Sequence, residues 1–306
     1  MSQLLVIGSI NLDLVLETQQ LPAPGETVLG GTFLRINGGK GANQAVAAAR
    51  GGNINVTLIA AVGDDDFGNR VKQDYLEEPR LNASLITEKQ GVSTGVAAIL
   101  VDQQAENMIC VAPGANAELS PTDINSLEQD LFSKAAVLLA SMEVPLETIE
   151  AAICKARGSE LLVVLNPAPV VPDLLNHNLL TWVDVLTPNE HEAAQLSGVE
   201  VTDRDSAVQA GNRIREKYSI ETVIITLGAA GVVVVNSAGN YAVEAPTVQA
   251  VDTTAAGDCF NGVLASQLAA GVAFQEAVSL AVRAASISVT RRGAQTSLPE
   301  RQEFSV

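Results

Sequence analysis

Short apolar runs, alternating with segments of helical spacing, are what most restrict the folds open to this chain. Such runs stand at 4–8, 56–60, 136–139, 161–165, 183–186 and 223–226. Between them, apolar residues recur every three or four positions at 41–50, 68–77, 146–156, 190–196 and 206–218. A strand that is apolar on both faces must be covered on both faces, and intervening helices supply that cover. The alternation predicts an α/β fold: a central, mostly parallel sheet flanked by helices. Ligands in such sheets bind beyond the carboxyl ends of the strands.

Two stretches break the alternation. Residues 13–37 contain Pro22-Ala23-Pro24-Gly25, a turn, followed by a strand-like segment at 26–36. Residues 93–112 read as strands at 96–101 and 107–111 around the polar turn Asp102-Gln103-Gln104-Ala105. Neither has a helix between its strands. The two excursions are expected to form one small antiparallel sheet standing off the main body, with an open face that a ligand or a second subunit covers.

Composition removes several classes of function. The 306 residues include 18 Lys and Arg against 35 Asp and Glu, a net charge of −17. A chain this acidic lacks the basic footprint of a nucleic-acid binder and is repelled by anionic lipid. With 47% apolar and 17% charged residues it is globular, and its length suits one large domain spanning 1–306. Cys110, Cys154 and Cys259 are far apart and form no CxxC pair, so neither a disulfide framework nor a thiolate zinc site is expected. The start of the chain lacks a basic signal-peptide region, and the apolar stretch 223–235 is too short to span a bilayer. A cytoplasmic protein is expected.

The residues suited to chemistry fall into five segments. Asp252-Thr253-Thr254-Ala255-Ala256-Gly257-Asp258 precedes a helical pattern that starts near Ala256 and closes at Gly271. Free backbone N–H groups and the positive end of the helix dipole make such a tip an anion site, and a carboxylate at Asp258 is placed to take a proton from a hydroxyl beside it. The same residues are also compatible with Thr254 capping the helix and Asp258 complementing its dipole. Gly38-Gly39-Lys40-Gly41-Ala42-Asn43-Gln44-Ala45 opens a second helix. It matches neither GxxxxGK[ST] nor GxGxxG. It is either a tight strand-to-helix turn or a place where a polar ligand meets the backbone, with Lys40 and Asn43 as donors.

Asn11 and Asp13, at the end of the first strand, point to one side of an extended chain, as a pair of vicinal sugar hydroxyls would require; a plain loop is the other reading. Asn166-Pro167-Ala168-Pro169 and Thr187-Pro188-Asn189-Glu190-His191-Glu192 each follow a strand and so share one rim of the sheet. Asn189 and Glu192 are spaced to face one ligand or a water-bound Mg²⁺. His191-Glu192 is not part of HExxH, because Gln195 replaces the second histidine, and no GxSxG is present. Thr226-Leu227-Gly228-Ala229-Ala230-Gly231 is small enough to let a nucleotide lie close, although a hairpin turn looks the same.

Together these segments resemble the ribokinase/PfkB family of carbohydrate kinases, which has a Rossmann-like fold. The resemblance runs from Gly8-Ser9-Ile10-Asn11-Leu12-Asp13 to Val289-Thr290-Arg291-Arg292-Gly293-Ala294-Gln295. It implies ATP-dependent phosphorylation of D-ribose at its 5-hydroxyl. Asp258 is then the general base, and the amides of Ala255, Ala256 and Gly257 form the anion hole. Asn11, Asp13, Gly39, Lys40, Asn43 and Glu143 hold the sugar. Asn189, Gly257 and the loop containing Thr226, Gly228 and Gly231 hold ATP, with Glu192 placing Mg²⁺ through water. A K⁺ ion is implied beside Asp252, Thr254, Ser288, Arg291, Gly293 and Ser297. The excursions at 13–37 and 93–112 correspond to the family's lid, which often also pairs two subunits into a homodimer. Val282 stands where some members carry a polar side chain near the adenine. The alternatives are a sibling kinase for deoxyribose, fructose or a nucleoside, and a non-catalytic sugar or nucleotide sensor on the same fold. An NAD-dependent oxidoreductase is disfavoured by the absent GxGxxG.

Overall fold

The computed structural model describes residues 3–104 and 106–305. Its first half runs β1 (Gln3–Ile7), β2 (Asn11–Glu17), β3 (Thr32–Gly38), α1 (Lys40–Gly51), β4 (Asn55–Gly63), α2 (Asp66–Glu77), β5 (Leu81–Asn82), β6 (Ile86–Lys89), β7 (Gly95–Val101), β8 (Asn107–Ala112), α3 (Pro121–Asn125), α4 (Gln129–Ser133) and β9 (Ala135–Ser141). Then follow α5 (Leu146–Arg157), β10 (Leu162–Asn166), β11 (Val185–Leu186), α6 (Glu190–Ser197), α7 (Arg204–Tyr218), β12 (Thr222–Thr226), β13 (Val232–Asn236), β14 (Gly239–Val243), α8 (Ala256–Ala269) and α9 (Phe274–Ser288).

The large sheet has the order β14-β13-β12-β11-β10-β9-β1-β4-β5, with β6 also paired to β4. From β12 to β5 the strands are parallel, while β13 and β14 return as an antiparallel hairpin. Alternate residues feed two separate cores. Leu4, Val6, Val137 and Leu139 pack with Ala45, Phe260, Val263 and Val278 on the face of α1, α8 and α9. Leu5, Ile7, Leu138 and Ala140 pack with Ile149, Ala193, Ala207 and Ile214 on the face of α5, α6 and α7. Each fully buried leucine or isoleucine contributes about 1.5–3 kcal/mol. This is the doubly covered sheet that the apolar runs require.

The small sheet has the order β3-β2-β7-β8. It is mixed rather than antiparallel: β2 pairs with β3 and β7 with β8 antiparallel, but β2 and β7 run parallel, Asn11 opposite Gly95 and Glu17 opposite Val101. Both excursions leave the main body in the same direction, so the strands that begin them must run side by side. Asn11 and Asp13 therefore do not end β1. The chain breaks at Gly8-Ser9-Ile10, and both residues belong to the base of β2. The third strand begins at Thr32, not at residue 26. The turn between β7 and β8 is closed by Asp102 N–H donating to the Glu106 carbonyl at 3.0 Å; its Ala105 lies outside the described residues. Helix α2 starts at Asp66, earlier than its apolar spacing indicates, because Asp65 caps it by accepting from Gly68 N–H.

Candidate active site

The tip of α8 is uncapped. Its N-cap residue, Ala255, lies in the left-handed region at φ 59° and makes no side-chain cap hydrogen bond. Thr254 is not a cap; its N–H donates to Asp252 Oδ1 at 2.9 Å. Among the described residues, the amides of Ala255, Gly257 and Asp258 have no backbone partner, while Ala256 N–H reaches the Thr253 carbonyl at 3.3 Å. These orphan donors open on a cavity of about 200 Å³ lined by Lys40, Asn166, Thr187, Asn189, Glu192, Thr226, Thr253, Asn261 and the 255–258 segment. Asn166, Thr187 and Thr226 end or follow β10, β11 and β12, so the cavity sits beyond the carboxyl ends of the parallel strands.

Asp258 is held from both sides by α1. Its Oδ2 accepts from Asn43 Nδ2 and its Oδ1 from Gln44 Nε2, each at 3.0 Å. Gln44 Nε2 also donates to Asn166 Oδ1 at 3.1 Å. This contact exists because α1 and α8 approach closely: a Cβ on Gly262 would lie 2.3 Å from the Gln44 carbonyl oxygen. Burial pushes the Asp258 carboxyl above the usual range; Lys40, Asn43 and Gln44 pull it down, and Glu143 pushes it up. A carboxyl tuned upward in this way is suited to accept a proton near neutral pH.

Carboxylates gather around Lys40. Its Nζ lies 3.8 Å from Glu143 Oε1, and its backbone N–H donates to Glu143 Oε2 at 3.2 Å. Burial alone would lower the Lys40 ammonium, but Asp258, Glu143 and Glu192 hold it above its ordinary value. Asp13 is pushed up to about 6, first by burial and then by Glu143 and Asp258. Asn11, beside it at the base of β2, accepts at Oδ1 from Asn116 Nδ2 at 2.8 Å. Gly39, at φ 88°, puts its backbone against this pair: a Cβ there would meet Asn11 N at 2.6 Å.

Asn189 and Glu192 both line the cavity, and they also cap α6. Asn189 Oδ1 accepts from Glu192 N–H at 2.8 Å, and Glu192 Oε2 accepts from Asn189 N–H at 2.9 Å. Burial raises the Glu192 carboxyl. Gly228 and Gly231 form the β12–β13 hairpin turn and, unlike Thr226, do not line the cavity. Val282 is packed in the core of α9 and is likewise not on the cavity wall.

Asp252, of the implied K⁺ set, ties the turn before α8 to the 289–293 turn. Asp252 Oδ2 accepts from Gly293 N–H at 2.9 Å, and the Val289 carbonyl accepts from the N–H groups of Val251 and Asp252. Ser288 and Ser297 are buried, while the Arg291 guanidinium turns outward to Glu303. The set offers carbonyl, hydroxyl and carboxylate oxygens, a chemistry that suits a hard monovalent cation.

Sequence reasoning gave no role to Gln44, Asn261 or Asn116. Gln44 lies inside the Gly38-Gly39-Lys40-Gly41-Ala42-Asn43-Gln44-Ala45 segment. Asn261, one helical turn beyond Gly257, donates to the Gly257 carbonyl at 2.8 Å and accepts from Thr187 Oγ1 at 2.6 Å. Asn116 carries no local signal. A larger cavity, about 560 Å³, opens between β3, α2 and the 295–296 turn. It does not share lining residues with the cavity at the α8 tip, and it is linked to Asp258 through Gln295, which donates to Tyr75 Oη at 2.8 Å and to Asn43 Oδ1 at 3.2 Å.

Residues 1–301 match the pfkB family carbohydrate kinase profile. The chain is 43% identical over 300 residues to the ribokinase of Haemophilus influenzae, covering 98% of this chain and 96% of that protein. It is 36% identical over 299 residues to the deoxyribokinase of Salmonella typhi, with the same coverage. Its structure resembles that of Arabidopsis thaliana ribokinase complexed with ribose and ATP, with a TM-score of 0.88 and 26% identity over 100% of this chain and 98% of that one. Matched along nearly its whole length by the profile and by full-length relatives, the chain belongs to the pfkB family of carbohydrate kinases.

Proposed function

We propose that the protein transfers the γ-phosphoryl group of ATP to O5 of D-ribose, giving ribose 5-phosphate and ADP. The observation that carries this reading is the uncapped α8 tip, with orphan amides facing a cavity and Asp258 in the same turn. The full-length likeness to ribokinases supports the choice of sugar.

In this reading Asp258 accepts the proton of the 5-hydroxyl. The freed oxygen attacks the γ-phosphorus, the bond to the bridging oxygen of ADP breaks, and the orphan amides meet the charge on the transferring group. Asn11, Asp13, Gly39, Lys40, Asn43 and Glu143 grip the sugar. ATP lies along Asn189 and the 226–231 turn. Glu192 would hold Mg²⁺ through water, and that ion would supply counter-charge to the phosphates. The oxygens of 252–254 and 288–297 would hold a K⁺ ion, whose charge would steady the anion hole. The small sheet acts as a lid that excludes water. Leu16, Phe33, Leu34, Met108, Ile109 and Val111 of that sheet are exposed, and a second copy covers them in a homodimer. No described helix is long and apolar enough to cross a membrane, and the three cysteines are free, which suits the cytoplasm.

The test is ADP release over a sugar panel with and without K⁺. Ribose should surpass 2-deoxyribose, fructose and nucleosides in kcat/KM. The deoxyribokinase relative makes 2-deoxyribose the serious competitor, and its preference over ribose would replace the substrate. Light scattering reports the dimer.

A further inference from the structure

We infer that Asn116 sets the hydrogen-bonding polarity of Asn11 and thereby makes the site select for a sugar hydroxyl oxygen that accepts a hydrogen bond there. The inference rests on the proposed reading that Asn11 and Asp13 hold the sugar.

The side chain of Asn116 is buried, 1% exposed. Its Oδ1 accepts from Ile10 N–H at 2.9 Å, and its Nδ2 donates to the Ile10 carbonyl at 2.9 Å. A backbone N–H only donates and a carbonyl only accepts, so pairing with both groups of one residue fixes which end of the amide is which. Turning Asn116 over would set donor against donor and acceptor against acceptor. The second proton of its Nδ2 then goes to Asn11 Oδ1 at 2.8 Å. With Oδ1 turned to Asn116, the Asn11 amide is oriented so that its Nδ2 lies on the other side, and among the described residues that nitrogen has no partner. Gly95 allows the contact, since a Cβ there would lie 2.3 Å from Asn116 Nδ2 and 2.4 Å from Asn11 Oδ1.

Two residues along β2, on the same side, Asp13 accepts when ionised. The base of β2 thus presents a donor next to an acceptor. A vicinal diol matches this: one hydroxyl oxygen accepts from Asn11 while its neighbour donates to Asp13. A sugar lacking the accepting oxygen leaves the Asn11 amide unpaired, which is how a polar site rejects deoxy analogues. Asn116 touches no substrate; it is a positioning residue.

The experiment compares wild-type protein with Asn116→Asp and Asn116→Ala on ribose, 2-deoxyribose and 3-deoxyribose. In Asn116→Asp the new carboxylate still accepts from Ile10 N–H but has no proton for Asn11, which turns its Nδ2 inward and shows the sugar a carbonyl. KM for ribose should rise by about tenfold or more with kcat within about threefold. KM for ATP should hold, and the kcat/KM preference for ribose over at least one deoxy sugar should fall by about fivefold or more. Asn116→Ala frees Asn11 to rotate and should move the same ratio in the same direction by less. Unchanged ratios in both variants, in a wild-type background that phosphorylates ribose, would overturn the inference and leave the activity standing. No turnover of any of the three sugars by the wild type would overturn both.

Discussion

The Asp258 carboxylate receives the Gln44 side-chain amide at 3.0 Å, although 214 positions separate the two residues. The contact depends on how closely α8 lies on α1, which Gly262 permits.

Gly262→Ala should therefore lower both stability and kcat. The new methyl would sit 2.3 Å from the Gln44 carbonyl oxygen, which is backbone and cannot swing aside. Overpacking of this kind costs about 1–3 kcal/mol, more than the ~1 kcal/mol that alanine gains over glycine in a helix. Gly257→Ala is the contrast. Nothing lies within 4 Å of its Cβ, so thermal unfolding should stay put while kcat falls about 10²-fold as the methyl crowds the anion hole. Equal unfolding midpoints for the two variants would contradict this packing account.

Asp258→Asn keeps the size of the side chain and removes the base. It should bind sugar and ATP, as calorimetry can show, yet lose about 10²–10⁴ in kcat. A variant retaining a tenth of wild-type turnover would mean that another group takes the proton.

Asp13 should impose two pH dependences of opposite sense. Its carboxyl sits at about 6, against 3.8 for the free side chain, so the folded protein holds this proton to higher pH than the unfolded chain does. Its contribution to stability is present below about pH 4 and is lost as pH rises towards 6. Sugar capture needs the ionised form, so kcat/KM for ribose should fall as pH drops below about 6. Asp13→Asn does not titrate, and chemical denaturation at pH 4, 5 and 6 should show a flatter stability profile. An identical slope in wild type and variant would assign the effect to another group.

Asp252→Ala should reduce activation by K⁺. The carboxylate ties Thr254 to Gly293, each by a 2.9 Å hydrogen bond from backbone N–H. Without it the oxygen-rich turns on either side separate. At constant ionic strength, replacing NaCl with KCl should raise kcat in the wild type and much less in the variant. Superimposable K⁺ titrations would remove the cation from this place.

The main sheet was legible because burial on both faces writes continuous apolar runs into 4–8, 56–60 and 161–165. The α8 tip was legible because Ala255-Ala256-Gly257 is too small to cap itself. The small sheet was harder to read. Whether β2 and β7 run parallel depends on which excursion meets which, and nothing within 13–37 or 93–112 records that. Asn116 was invisible for a related reason: its partners Ile10 and Asn11 lie 106 and 105 positions away. Val282, which by resemblance stands where some members carry a polar side chain near the adenine, packs in the core cluster here.

The gathering of Glu143, Asp258 and Glu192 about the Lys40 ammonium, with Asp13 beside Glu143 and Asp258, has an effect on timing. When all four acids are ionised, bare polyphosphate approaching the cleft meets like charge in a medium that screens poorly. In the proposed reaction, nucleotide would therefore enter more readily with its counter-ions than without them. Until that escort arrives, passing the proton of a bound alcohol to Asp258 would only move negative charge from the carboxylate to the alcohol oxygen, with no phosphoryl group to take it up. In the proposed reaction, an alcohol seated alone would thus stay protonated until both halves of the reaction were in place.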